Sequence, residues 1–104
     1  MRVTAADIQK SMSKGPTIID FWAPWCNPCK AINRELDDIR KRRPEVSVIK
    51  VNVDDHPELV SAYAVKSVPY IIYTTAPGAA PRSLNGFVTA EDLIRRIYPM
   101  HAGK

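Results

Sequence analysis

The sequence predicts an α/β protein: a three-layer sandwich with helices on both faces of a central mixed sheet. Three observations predict it. Apolar residues recur with a helical period in separate stretches. Short valine- and isoleucine-rich runs of strand length lie between those stretches. The two patterns alternate along the chain before a closing hairpin and helix, an order that layers helices over a sheet. At 104 residues the chain fits one domain over 1–104. With 45% hydrophobic and 25% charged residues it can build a core of its own. Disordered, collagenous and coiled-coil classes are excluded. So is a membrane protein, because no apolar run approaches the roughly 18 residues of a spanning helix.

Each element has a local reason. Residues 4–14 read as a helix, with Thr4 and Asp7 as a capping box and Ile8 and Met12 as i,i+4 neighbours. Gly15 and Pro16 stop it. Residues 17–23 are almost continuously apolar, the pattern of a strand covered on both faces, with Asp20 as the interruption. From 26 to about 43 the period is helical again. Ile32, Leu36 and Ile39 share one stripe and Pro44 follows. Residues 46–53 read as a second strand. Asp54 and Asp55 stand where they could cap a short helix opening at Pro57. Residues 69–74 read as a third strand, 76–81 as a turn, and 82–87 as the strand that completes a hairpin. Thr89 and Asp92 repeat the capping-box spacing before a last helix, with Leu93, Ile94 and Ile97 inward and Pro99 at its end.

The net charge is +4, and Arg40, Lys41, Arg42 and Arg43 are consecutive. No aromatic residue interleaves with them, so they read as the last turn of a helix, where cations offset the macrodipole. A nucleic-acid or membrane surface is not expected from them. Arg2 is followed by Asp7, Gln9 and Lys10 rather than an apolar core, so no signal peptide is read and a cytoplasmic protein is expected. The two cysteines are too few for a secreted disulfide framework, and they lie three positions apart.

Chemistry concentrates in Trp25-Cys26-Asn27-Pro28-Cys29-Lys30. A strand leaves the core, turns, and delivers Cys26 to the start of a helix. Free backbone N–H groups and the positive end of the dipole stabilise a thiolate there. Cys29 continues the stripe of Ile32, Leu36 and Ile39 and is expected to be buried. Residues three apart on a regular helix hold their Cβ atoms about 5–6 Å apart, slightly too far for an S–S bond. Placing the first cysteine at the helix opening lets the backbone close the gap. Pro28 loses no hydrogen bond in the first turn. One exposed acidic thiol with a shielded partner suits thiol–disulfide exchange: Cys26 attacks and Cys29 resolves the mixed disulfide. Trp25, beside Cys26 at the end of the strand, reads as an apolar rim for protein substrates, and Trp22 as packing beneath the site. A structural zinc site needs four ligands, and only the remote His56 and His101 are left to supply the others.

These residues resemble the active site of the thioredoxin family, and the similarity covers nearly the whole chain. Asp20-Phe21-Trp22 is similar to the family's buried-aspartate strand. Lys50 falls where the family has a buried lysine, Val68-Pro69 where it has a cis-proline, and Gly86 where it has a late glycine. The resemblance implies a thioredoxin fold with a four- or five-stranded sheet, since little more than Arg2 and Val3 remains for a first strand. It implies that Asp20 accepts the proton of Cys29 through water during resolution, with Lys50 beside it. Desolvation would raise the pKa of Asp20 and Lys50 would lower it. It implies that Pro69 lies against the disulfide and that the backbone of Val68 pairs with the substrate chain. Asn27 stands where glycine is usual, and with Pro28 it touches the thiolate and so influences the redox balance. Tyr70 stands where a small threonine is common, so its ring either crowds the substrate groove or packs.

The expectation is a monomeric reductase of protein disulfides needing no metal or organic cofactor. The family implies regeneration by a thioredoxin reductase and ribonucleotide reductase as a plausible client. Two other readings remain open: a more oxidising oxidase or isomerase-like relative, and a non-catalytic binding subunit of the same fold.

Overall fold

A computed structural model describes residues 2–99. The elements are α1 (Ala5–Lys14), β1 (Thr17–Trp22), α2 (Asn27–Arg42), β2 (Ser47–Asn52), α3 (Pro57–Ala62), β3 (Tyr70–Thr74), β4 (Arg82–Asn85) and α4 (Ala90–Ile97). They form a four-stranded sheet in the order β2-β1-β3-β4. β1 and β2 are parallel, with Asp20 opposite Lys50. β1 with β3, and β3 with β4, are antiparallel.

Successive side chains of a strand point to opposite faces, and β1 divides the core accordingly. Ile18 joins Ile32, Leu36, Ile39, Leu93 and Ile97 in the layer formed with α2 and α4. Ile19 and Phe21 join Ile8 of α1 and Leu59 of α3 on the other face. A strand covered twice has no polar face, which is why 17–22 is so apolar. Asp20 falls on the same face as Ile18, beneath α2.

The caps explain the helix ends. Thr4 and Asp7 form the reciprocal capping box expected of them. Thr89 accepts from the backbone N–H of Asp92 at 3.1 Å, but the Asp92 carboxylate is taken by Arg96, so only half of the second box forms. α3 has no side-chain cap: its N-cap is His56, not Asp54 or Asp55. Those two are held instead in a turn over Asn52, whose Oδ1 accepts from Asp54 N–H and whose carbonyl accepts from Asp55 N–H. The basic run does close α2. Arg42 pairs with Asp38, and Arg43 lies over the Tyr98 ring at 4.6 Å. β4 ends at Asn85 rather than 87 because Gly86 turns at φ +88.

No strand precedes α1 among the described residues, so β2 is an edge. Arg2 and Val3 instead tie the start of the chain to the head of α3. Val3 N–H donates to Nε2 of the buried His56 at 3.0 Å, so the ring proton is on Nδ1, which donates to the Asn52 carbonyl at 2.9 Å. Both imidazole nitrogens are thus engaged within the protein. His101 lies outside the described residues. Arg2 adds an exposed ion pair to Glu58 at 2.6 Å and a bond to the Asp55 carbonyl.

The two ties differ in energy. His56→Ala leaves the Val3 N–H unpaired and empties a buried ring site, while the Asn52 carbonyl keeps its bond from Asp55 N–H, and is expected to cost about 2 kcal/mol. Glu58→Ala removes an exposed pair and is expected to cost no more than about 0.5 kcal/mol. Urea unfolding of the two variants measures both, and equal losses would contradict this account of the anchor.

Candidate active site: a cysteine pair at a helix opening

β1 ends at Trp22 and the chain turns, with Cys26 N–H bonded to the Ala23 carbonyl at 3.1 Å. Cys26 is the N-cap of α2. Its backbone is extended (φ −101°, ψ 107°), and its sulfur accepts a hydrogen bond from Cys29 N–H at 3.3 Å. That N–H is one of those a helix cannot satisfy from within. The first turn contains Pro28 and no acidic residue, so nothing opposes the positive end of the dipole. The extended cap takes Cys26 off the helical path, the two Cα atoms are 5.3 Å apart, and Cys26 and Cys29 are joined as a disulfide.

Cys29 is fully buried on the predicted stripe. Cys26 departs from expectation. Rather than an exposed sulfur-bearing residue, it is only 6% exposed, because Trp22, Val53 and Val68 pack around the cysteine pair. Asn27 and Pro28, in the first turn of the helix, are exposed instead. The expected asymmetry survives only as this slight exposure of Cys26 against none for Cys29.

Asp20 is wholly buried, and neither of its oxygens has a hydrogen-bond partner among the described residues. Burial pushes its carboxyl up to about 7, and the Lys50 ammonium opposes this only in part. Lys50 is the residue opposite, as the sequence suggests, but it is half-buried rather than buried. Its Nζ pairs with Asp37 of α2 at 3.3 Å. The reason is the missing strand: at the sheet edge the ammonium reaches solvent and a surface carboxylate.

The remaining sites come from loops. The Val68–Pro69 bond is cis. Pro69 is buried, and its carbonyl accepts from Gly86 N–H at 3.0 Å. Gly86 lies at φ +88, a region that disfavours any residue with a Cβ. The Asn85 amide donates to the Ser67 hydroxyl at 3.2 Å, a second link between these loops. Trp25 is 68% exposed and, with Val53, Val60, Val65, Lys66 and Val68, lines a shallow groove of about 190 Å³. Tyr70 packs beside Phe21, with ring centroids 6.1 Å apart, and is not among the residues lining that groove.

The structure therefore brings together Cys26, Cys29 and Val68, joins Pro69 to Gly86, and sets Asp20 opposite Lys50 while drawing the Lys50 head toward Asp37. Sequence reasoning passes over Val60, Val65 and Phe87, the last 53% exposed one residue beyond Gly86. An apolar residue in a short helix or strand end carries no local sign that it faces outward.

Comparison with known proteins agrees with this geometry. The family model described as Thioredoxin matches residues 2–98. Thioredoxin 1 of Synechococcus elongatus is 36% identical over 76 residues, 65% of this chain and 71% of the relative. The thioredoxin of Listeria monocytogenes is 30% identical over 92 residues, 88% of each chain. A mutant thioredoxin from Halobacterium salinarum superposes with a TM-score of 0.81 at 25% identity, covering 92% of this chain and 84% of that one.

Asp20 makes stability depend on pH. Its carboxyl stands near 7 in the folded chain against an ordinary 3.8, so the folded state holds the proton more tightly. Stability is unaffected by this group below about pH 4 and declines as pH rises toward 7, by up to about 4 kcal/mol. Asp20→Ala is expected to remove that decline and to be at least as stable as the parent at pH 8. Urea unfolding at pH 5 and pH 8 measures it. A parent protein that gains stability over the interval relative to the variant sinks the prediction.

Proposed function

The chain belongs to the thioredoxin family, and from that premise we propose that this thiol–disulfide oxidoreductase reduces protein disulfides, with Cys26 attacking and Cys29 resolving. The observation that carries the reading is the Cys26 sulfur held against an unpaired helix-opening N–H, with Cys29 shielded one turn behind. The Cys26 thiolate attacks one sulfur of a substrate disulfide. That bond breaks, a mixed disulfide forms, and the departing substrate thiolate takes a proton. Cys29 then gives its proton to Asp20, and its thiolate attacks the Cys26 sulfur. The mixed disulfide breaks, the second substrate thiolate leaves and is protonated, and the Cys26–Cys29 disulfide remains. The substrate gains two electrons and the dithiol loses them.

Asp20 suits its role because a carboxyl near 7 can exchange a proton with a thiol at neutral pH. Lys50 opposite would favour the ionised form between turnovers. Val68 suits substrate pairing because its backbone N–H and carbonyl make no hydrogen bond with the described residues. Trp25, Asn27 and Pro28 on one side, and Pro69 and Gly86 on the other, would frame the docking face, with Phe87 extending it. We take the chain as one domain over 1–104 acting as a monomer in the cytoplasm, regenerated by a thioredoxin reductase. Ribonucleotide reductase is a plausible client. No metal or organic cofactor enters the cycle.

The two thiols are expected to separate cleanly by mutation. Cys29→Ser should accumulate a covalent mixed disulfide with a disulfide-containing protein such as insulin, and Cys26→Ser should accumulate none. Intact-mass analysis under non-reducing conditions reads this directly. Insulin reduction by the double serine variant at the parent rate would refute the proposal.

A further inference from the structure

β2 is an edge of the sheet, and part of its outer backbone is open. Ser47 N–H donates to the Pro16 carbonyl and Val53 N–H to the Trp22 carbonyl. Residues of a parallel strand alternate in the direction of their backbone groups, so Ser47, Ile49 and Val51 bond toward β1. Val48, Lys50 and Asn52 therefore point their N–H and C=O groups away from the sheet. The Asn52 carbonyl is taken by His56 and Asp55, and the Val48 carbonyl accepts from the Arg40 guanidinium at 3.1 Å. Val48 N–H and both backbone groups of Lys50 have no partner among the described residues. Such an edge is a template for another strand. A groove of about 520 Å³ lies along it, lined by Asp7 and Ser11 of α1, Arg40 of α2, and Val48, Ile49 and Lys50. Its two walls differ. On the α2 side, Arg40 and Lys50 share one carboxylate, Asp37, at 3.7 and 3.3 Å, which leaves positive charge in excess. On the α1 side, Ile49 lies in the apolar layer that holds Val3 and Met12, and Asp7 contributes a negative charge. Arg2 also lines the groove but is paired with Glu58.

We propose that the outer edge of β2 binds an extended peptide segment in which carboxylate and apolar side chains alternate, added to the sheet as a fifth, antiparallel strand. The proposal does not depend on the cysteine chemistry. Antiparallel pairing lets one residue of the segment exchange two hydrogen bonds with Lys50, while the residue two places on offers its carbonyl to Val48 N–H. Residues directly opposite one another share a face of the sheet. The side chains of those two residues therefore project to the α2 side, where carboxylates meet Lys50 and Arg40. The residue between them projects to the α1 side, against Ile49. A carboxylate there would face Asp7, so the alternation fixes the register. A second copy of the chain is a poor occupant. β2 paired with itself about a two-fold axis would bring Lys50 and Arg40 against their own counterparts, and like charges across strands repel. Backbone bonds supply the affinity and alternate side chains the selectivity, as in other cases of strand addition.

The test uses a fluorescein-labelled heptapeptide of alternating glutamate and valine, with glutamate at both ends, titrated into the full chain in its disulfide form at low ionic strength. Two peptides serve as controls: one of the same composition with its glutamates in a block, and one with lysine in place of glutamate. Fluorescence anisotropy is expected to show saturable binding at least about tenfold tighter than either control. Amide exchange followed by NMR is expected to slow at Val48 and Lys50 by about tenfold or more, while Ile49 and Val51, already bonded to β1, change little. Arg40→Gln keeps a donor near the Val48 carbonyl and removes the charge, and should weaken binding about fivefold. The proposal is overturned by the lack of saturable binding, by equal binding of either control, by parent-like affinity in Arg40→Gln, or by protection confined to the groove beside Trp25. Protection of Val48 and Lys50 that appears without peptide, together with a doubled mass in sedimentation, also overturns it, because the occupant is then a second copy.

Discussion

A helix must open with backbone N–H groups that nothing within it can satisfy, and in this protein a sulfur meets one of them. The geometry of the site follows from that contact. An N-cap has an extended backbone, so β1 has to end at Trp22 and the chain has to turn before Cys26. Once Cys26 occupies the cap, helical periodicity sends Cys29 inward with Ile32, Leu36 and Ile39. The two sulfurs become unequal because they sit on the same chain at the junction between extended and helical backbone.

The same strand carries Asp20 beneath the helix. A buried carboxylate without partners is unfavourable for folding, and apolar layers on both faces of β1 have to offset it. The energy is stored in a group whose proton affinity is raised to where thiols exchange protons. Structure and chemistry therefore pull in opposite directions at one residue, a compromise common at functional sites.

Among the described residues no strand precedes α1, and this reshapes one side of the molecule. β2 becomes the sheet edge, Lys50 reaches Asp37 and solvent, and Arg2, Val3 and His56 close the start of the chain onto α3. The side beside the cysteine pair is assembled differently, from the loops that flank the β3–β4 hairpin. The Pro69–Gly86 bond holds those loops together.

Much of this was legible locally. The Thr4–Asp7 box, the stripe of α2, the doubly covered β1 and the Cys-x-x-Cys at a helix opening each depend on residues within a turn or two of one another. Backbone preference and amphipathic period act at that range. Asp54 and Asp55 misled because a nearby asparagine claimed them for a turn, and Asp92 because an arginine one turn on claimed its carboxylate. What the tertiary structure alone decided is burial and partnership: that Val53 and Val68 cover Cys26, that Lys50 turns to Asp37, and that the Asp20 carboxyl is buried without a hydrogen-bond partner among the described residues. Those outcomes are set by side chains distant in sequence that meet only when the sheet and its helices pack. No local pattern encodes which atoms solvent can still reach.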